Sequence, residues 1–136
     1  MANRVMIFGV FDGLHDGHRF LIEQAQKYGD QLIIVVTPDD TVKFMKDKIP
    51  HYGLMERIMM LEKEYPRAEV ITGDNKKGMW TPIKKYQPQT IVLGYDQNAL
   101  CSALKGIIDG YDFEIIQIKK HHKGSTLHSS MINKKA

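Results

Sequence analysis

The sequence predicts an α/β fold, a three-layer doubly wound parallel sheet with helices on both faces. Three observations predict it. Strand-like and helix-like segments alternate from end to end of the chain. The strand-like segments are largely apolar rather than alternating, as strands covered on both faces are. Polar, glycine-bearing loops follow the carboxyl ends of the first and fourth of them, the end at which open α/β sheets bind ligands.

Each element has its own signal. Val5 to Phe8 is a short apolar run bounded by glycine, a buried strand. From His18, apolar residues recur at Leu21, Ile22, Ala25 and Tyr28, one helical face, and Gly29 closes the helix. Leu32 to Val36 is apolar and rich in β-branched residues, a second strand. Thr37-Pro38-Asp39-Asp40 reads as a turn and helix start, followed by a polar, lysine-bearing stretch to Pro50. Leu54, Ile58 and Leu61, with Met55 and Met59 beside them, mark a second long helix that Pro66 ends. Glu69 to Thr72 is a short strand, Asp74 to Gly78 a polar loop, and Thr81-Pro82 a helix start, since proline is tolerated in the first turn. Thr90 to Leu93 is a strand that stops at Gly94. Ala99 to Ile108 is helical, with Leu100, Ala103, Leu104 and Ile107 on one stripe. Phe113 to Ile118 reads as the last strand, and Met131 to Ala136 as a short terminal helix or tail. The loops after Phe8, Val36, Leu93 and Ile118 are therefore expected to meet in space.

Whole-chain quantities narrow the function classes. At 136 residues the chain fits a single domain, 1–136. Its 43% hydrophobic and 26% charged residues are those of a globular protein. A net charge of +3 suits an anionic small molecule. A nucleic-acid binder would carry a continuous basic stripe with aromatics, which the sequence lacks, so no nucleic-acid partner is expected. Lys119, Lys120 and Lys123, like Lys134 and Lys135, read equally well as a solvated face. The one cysteine, Cys101, lies among apolar residues and reads as core; the absence of a disulfide framework fits a reducing, cytoplasmic setting. No apolar run reaches the ~20 residues of a membrane span. The first apolar stretch runs through Gly9 into Asp12 without a cleavage site, so neither a membrane partner nor a signal peptide is expected.

The loop Gly9-Val10-Phe11-Asp12-Gly13-Leu14-His15-Asp16-Gly17-His18 carries the most chemistry. Its glycines let backbone N–H groups approach a phosphate, and the helix that follows adds a positive end. His15 and His18 then offer ring N–H donors to charge developing at phosphorus. On residues alone three readings stand: a phosphate site, a metal site using the histidines with Asp12 and Asp16, or a structural turn.

His15-Asp16-Gly17-His18, with Gly9 to Asp12 before it, resembles the His-x-Gly-His signature of the cytidylyltransferase-like nucleotidyltransferases. The resemblance runs from Gly9 to Ile132 and implies a Rossmann-like nucleotidyltransferase fold. It implies that His15 and His18 stabilise a nucleoside triphosphate in the transition state, with Gly9, Val10, Phe11, Asp12 and Gly17 around it. Many members carry a hydroxyl residue where this chain has Val10, leaving only its backbone N–H. The family's phosphate-binding lysine corresponds best to Lys46, with Lys43 second. Glu56-Arg57 also looks like a family feature, Arg57 orienting the site or making an ordinary surface ion pair. Gly94-Tyr95-Asp96-Gln97 is similar to archaeal-type FAD synthases, and glycerol-phosphate cytidylyltransferases carry a related acidic loop there. Gly94 and Asp96 are thus expected at the nucleotide, Asp96 accepting from ribose hydroxyls or else capping a helix. The segment Gly124 to Ile132 resembles the family's closing motif at a helix start, with Leu127, Ser129 and Ser130 fitting it. His128 stands where serine is usual, Ser125-Thr126 are extra, and the family's arginine before the glycine is replaced by lysine or histidine.

The resemblance implies transfer of AMP or CMP from a nucleoside triphosphate to a phosphorylated small-molecule acceptor, with Mg²⁺ as cofactor and pyrophosphate as product. FMN adenylyltransferase fits the loops best, and a glycerol-phosphate or other alcohol-phosphate cytidylyltransferase is the alternative within the class. A catalytically silent nucleotide-binding module, or a metal binder using His15, His18, His121 and His122, are the alternatives outside it. Relatives commonly form homodimers, and a homodimer is expected here.

Overall fold

The apolar runs become neighbouring strands because strands buried on both faces can satisfy their backbone groups only from each other. A computed structural model describes residues 3–39, 41, 50–74, 79–118 and 129–132, the last four by their backbone. β1 (Arg4–Gly9), β2 (Gln31–Val36), β3 (Glu69–Thr72), β4 (Thr90–Leu93) and β5 (Glu114–Ile118) pair in parallel. β6 (Ser129–Ile132) adds antiparallel to β5, Ser129 opposite Ile118 and Ile132 opposite Ile115. The strand order is β3-β2-β1-β4-β5-β6.

The helices are α1 (Asp16–Gln26), α2 (Leu54–Glu64), α3 (Thr81–Tyr86) and α4 (Asn98–Ile107), the last running into a 3₁₀ turn at Ile108–Gly110. Alternate strand residues divide between two cores. Val5, Ile7, Ile34, Val36, Val92 and Ile116 face α1 and α2 and pack with Leu21, Ile22, Ala25 and Leu61. Met6, Ile33, Val35, Ile91, Leu93 and Ile115 face α3 and α4 and pack with Ile83, Cys101 and Leu104. Each fully buried aliphatic side chain here is worth about 1.5–3 kcal/mol, so the layers are held mainly by this burial. The Arg19–Glu64 ion pair between α1 and α2 adds less. At 2.9 Å but with side chains 40% and 37% exposed, it is screened by solvent.

The expected doubly wound parallel sheet is present, with two corrections at the carboxyl end. β5 is not the last strand, and Met131 and Ile132, expected to open a short terminal helix or tail, are extended in β6. The Ser-Ser-Met-Ile sequence has no helical preference strong enough to oppose pairing with the open edge of β5, whose N–H and C=O groups need partners. No helix among the described residues is long and apolar enough to cross a membrane.

Candidate active site

The order β2-β1-β4 places the topological switch between β1 and β4: the chain winds outward one way through β2 and β3, then returns to begin β4 on the other side of β1. The loops after these two strands part there and leave a crevice beyond their carboxyl ends. A cavity of about 1070 Å³ occupies it. Its wall combines Gly9, Val10, Phe11, His15, Gly17 and His18 after β1 with Thr37, Pro38 and Thr41 after β2. Gly73, Asp74 and Trp80 follow β3, Gly94, Tyr95, Asp96 and Gln97 follow β4, and Ile118 ends β5.

The first loop is shaped by packing. Phe11 takes a left-handed conformation, φ 54°, and its ring is 1% exposed. It lies over the α-carbon of Gly9, where an added Cβ would come within 2.8 Å of the ring. Only glycine permits that approach. The ring's other neighbour is His18, with centroids 5.2 Å apart. Phe11 thus turns its backbone toward the cavity while its side chain joins the core.

His15 caps α1. Its Nδ1 accepts from Gly17 N–H at 3.1 Å and from His18 N–H at 3.4 Å. A neutral His15 must therefore carry its proton on Nε2, a donor. His18 Nδ1 lies 3.0 Å from the Gly13 carbonyl and 3.4 Å from His15 N–H. One ring nitrogen cannot donate to the first and accept from the second at once. The shorter contact decides: two acceptors would repel at 3.0 Å, so Nδ1 of His18 carries a proton. Neutral His18 then presents a lone pair at Nε2, and protonated His18 a second donor. The rings stack, centroids 3.6 Å apart and planes 22° from parallel. Both line the cavity at the positive end of an 11-residue helix, so two nitrogen edges and the α1 dipole favour negative charge there.

Asp12 does different work. Both of its carboxylate oxygens accept backbone N–H groups at 2.7 Å, from His51 and Tyr52, just ahead of α2. Burial pushes its pKa up, but these two bonds and the charges of Arg57 and His51 outweigh it and hold the carboxyl below its ordinary value. Tyr52 in turn packs its ring within 3.4 Å of where a Cβ on Gly13 would stand, and Gly13 has φ +84°.

Arg57 is the hub behind the site. It is fully buried, and it donates from Nε to Tyr52 O at 3.1 Å and from Nη1 to Val10 O and Thr37 O, both at 2.8 Å. Its Nη2 pairs with Asp39, whose other oxygen accepts Leu54 N–H at 3.3 Å. One side chain thus ties the loops after β1 and β2 to the start of α2. It is no surface ion pair with Glu56.

The loop after β4 is fixed by two glutamines. Gln97 accepts Gly94 N–H at 2.7 Å and donates to Phe8 O at 2.8 Å, joining the β4 and β1 loops across the switch. Gln117 donates to Gly94 O at 3.2 Å. Gln97, not Asp96, occupies the cap position of α4, with no side-chain capping bond. Asp96 is exposed on the cavity rim.

Of the expected site residues, Gly9, Val10, Phe11, His15, Gly17, His18, Gly94 and Asp96 share this cavity. Asp12 lies behind it, holding the turn before α2. Ser129 and Ser130 belong to β6 rather than a helix start, and pairing of Ser129 with Ile118 sets that backbone at the same end of the sheet. Lys43, Lys46, His121, His122, Leu127 and His128 lie outside the described residues. Gln97, Thr41 and Trp80 also line the cavity, none of them expected as a site residue. Gln97 stood inside a loop already singled out, and Trp80, the sole tryptophan, stood just before a recognised helix start. Thr41 Oγ is buried without a hydrogen-bond partner among the described residues.

Among the described residues no three His, Cys, Asp or Glu side chains gather closely enough to hold a metal ion.

The cytidylyltransferase-like family model matches residues 6–135. FAD synthase of Thermococcus sibiricus is 34% identical over 134 residues, covering 97% of this chain and 90% of the relative. FAD synthase of Thermoplasma acidophilum is also 34% identical over 134 residues, covering 97% and 92%. Among solved structures, the lipopolysaccharide core biosynthesis protein from Thermoplasma volcanium superposes with a TM-score of 0.81 at 31% identity, over 90% of this chain and all of that one. Pantoate-beta-alanine ligase from Francisella tularensis, at 13% identity and a TM-score of 0.62, shares the fold.

Proposed function

Since the chain belongs to the cytidylyltransferase-like family and is a nucleotidyltransferase, we propose that it is an FMN adenylyltransferase, joining AMP from ATP to FMN to make FAD and pyrophosphate. The observation that carries this reading is the stacked His15–His18 pair at the α1 N-terminus, on the wall of a cavity of about 1070 Å³. That volume lies just above the range for single-ligand sites, about 300–1,000 Å³, and suits two nucleotide-sized substrates side by side. The identity of the FAD synthases over nearly the whole chain favours FMN as acceptor.

The reaction is an in-line displacement. A phosphate oxygen of FMN attacks the α-phosphorus of ATP, a new P–O bond forms, the bond from the α-phosphorus to the bridging oxygen breaks, and pyrophosphate leaves with that oxygen. The acceptor phosphate is already ionised at neutral pH and needs no base. The chain's part is positioning and charge stabilisation. His15 donates from Nε2, and His18 donates once protonated, to the oxygens that gain charge. Backbone N–H groups of Gly9, Val10 and Phe11 and the turn at Gly17 surround the phosphates. Asp96, with Gly94, receives the ribose hydroxyls, and Asp12 acts through the loop it holds. Lys46 neutralises the leaving pyrophosphate, and Leu127, Ser129 and Ser130 bind the nucleotide. Mg²⁺, when bound, supplies further neutralisation of the triphosphate. Residues 1–136 act as one domain, as a homodimer in the cytoplasm.

Pyrophosphate release from purified protein with Mg²⁺ tests this, with ATP or CTP offered against FMN, glycerol 3-phosphate, phosphocholine and a sugar phosphate. Release is expected with ATP and FMN. His18→Ala is expected to lower turnover by about 10²–10³-fold with the fold retained. Release confined to CTP with an alcohol phosphate would replace the acceptor assignment, and near-normal turnover by His18→Ala would remove the histidine from the mechanism.

A further inference from the structure

One polar group on the cavity wall has no partner. The loop after β2 contributes Thr37, Pro38 and Thr41 to that wall. Across the described residues, Thr41 Oγ is the only buried side-chain oxygen or nitrogen without a hydrogen bond. Buried polar groups in a folded chain are nearly always paired, so an exception calls for a physical reason.

The groups around it are engaged elsewhere. Thr37 donates both its N–H, at 2.9 Å, and its hydroxyl, at 3.1 Å, to Gly9 O. Pro38 has no N–H to donate. Asp39 accepts from Arg57 Nη2 and from Leu54 N–H. Thr41 itself is helical, and a helical threonine ordinarily bonds a carbonyl three or four residues back. Four back is Thr37, whose carbonyl accepts from Arg57 Nη1 at 2.8 Å. The same arginine that ties the loops together therefore occupies the hydroxyl's usual partner.

The hydroxyl can reach a ligand without backbone movement. Thr41 is half-buried and lines the cavity, and a helical threonine divides between two rotamers. A turn about its Cα–Cβ bond exchanges the hydroxyl with the methyl. Valine has the same shape and would fit this wall without burying an unpaired oxygen. A hydroxyl kept where it destabilises the free chain is characteristic of a residue retained for a ligand. The rest of the wall indicates the ligand's chemistry. His15, His18 and the positive end of α1 share the cavity with Thr41, surroundings that collect negative oxygens. An O–H group donates most strongly to an ionised acceptor. β2 adjoins β1 on the side away from β4, so the loop of Thr41 flanks the histidine loop opposite Gly94 to Gln97.

We propose that Thr41 is a substrate-binding residue: its hydroxyl turns into the cavity and donates to a phosphate oxygen of one of the two substrates. This rests on the transfer reaction proposed above, with ATP and FMN as those substrates.

The test compares wild type, Thr41→Val and Thr41→Ser as full chains. Each is measured by thermal unfolding without substrate, by pyrophosphate release with ATP and FMN, and by calorimetric titration with ATP and Mg²⁺. Thr41→Val is expected to melt higher than wild type by roughly 3–5 °C, because the unpaired group is gone. It is also expected to raise KM for at least one substrate on the order of tenfold. A hydroxyl with a structural role would not give higher stability together with weaker binding. Thr41→Ser keeps the hydroxyl and is expected to hold both KM values within about threefold of wild type. The substrate whose KM rises identifies the phosphate: ATP alone the triphosphate, FMN alone the acceptor phosphate, both the two groups being joined. Both KM values within about twofold of wild type in Thr41→Val would overturn the proposal. So would a Thr41→Val melting temperature no higher than that of wild type, or an equal loss of binding in Thr41→Ser. A wild type that makes no FAD would remove FMN as acceptor, and the ATP titration then decides. Weaker ATP binding by Thr41→Val sustains the hydroxyl as a phosphate contact, and equal binding overturns it.

Discussion

Arg57→Met tests whether one buried side chain holds the site's loops together. The substitution keeps most of the volume but removes every donor. Three carbonyls, of Tyr52, Val10 and Thr37, then lose their partner inside the protein. An unmade buried acceptor costs about 1–3 kcal/mol. Asp39 adds little, because its side chain is 48% exposed and its carboxylate can return to water. The sum is roughly 3–9 kcal/mol, a large share of the about 5–15 kcal/mol that a domain has in total. Urea unfolding measures it: with a slope of about 2 kcal/mol per molar, the midpoint is expected to fall by about 1.5–4.5 M. Nucleotidyl transfer is expected to fall as well, since Val10 and Thr37 both line the cavity. A loss below about 1 kcal/mol would refute the reasoning, because water would then be serving those carbonyls as well as the guanidinium does. A double-mutant cycle with Asp39→Asn is expected to show coupling of no more than about 1 kcal/mol.

Two further outcomes follow from the first loop. Asp12 has a folded pKa below its ordinary value, so its contribution to stability is fully present above that value and is lost as pH falls through the lowered one. Asp12→Asn leaves one of the two backbone donors facing an amide N–H. Its deficit relative to wild type, read from urea midpoints, is expected to be widest near neutrality and to shrink below about pH 4, and a deficit independent of pH would contradict the charge-based account. Gly9→Ala drives a methyl to 2.8 Å from the Phe11 ring, which has little room to yield, and is expected to cost about 1–3 kcal/mol and to disturb His18. Gly106→Ala is its control: nothing lies within 4 Å of the added carbon near the end of α4, so melting should rise by the equivalent of up to about 1 kcal/mol, and equal melting shifts in the two variants would argue against the Phe11 contact.

The sequence by itself determined the layering and the loops that line the cavity. Strands such as Leu32 to Val36 could be read directly because an uninterrupted apolar run has few homes other than the middle of a covered sheet, and the helices showed one apolar stripe each. Gly9 to His18 and Gly94 to Gln97 were legible as site loops because glycine and histidine at strand ends have local chemical meaning. What only the tertiary structure decided depends on partners far apart in the chain. The resemblance singles out Asp12 and Arg57, but not the partners 40 and 47 positions away that fix them. β6 was unreadable because a polar edge strand is specified by the edge it joins, and Ser129 finds that edge at Ile118. The tautomers of His15 and His18, and the left-handed backbone of Trp80, arise from individual hydrogen bonds that no residue spacing encodes. Local patterns carry periodicity and turn chemistry, whereas the burial of a charge and the strain of a backbone are settled only when the whole chain has packed.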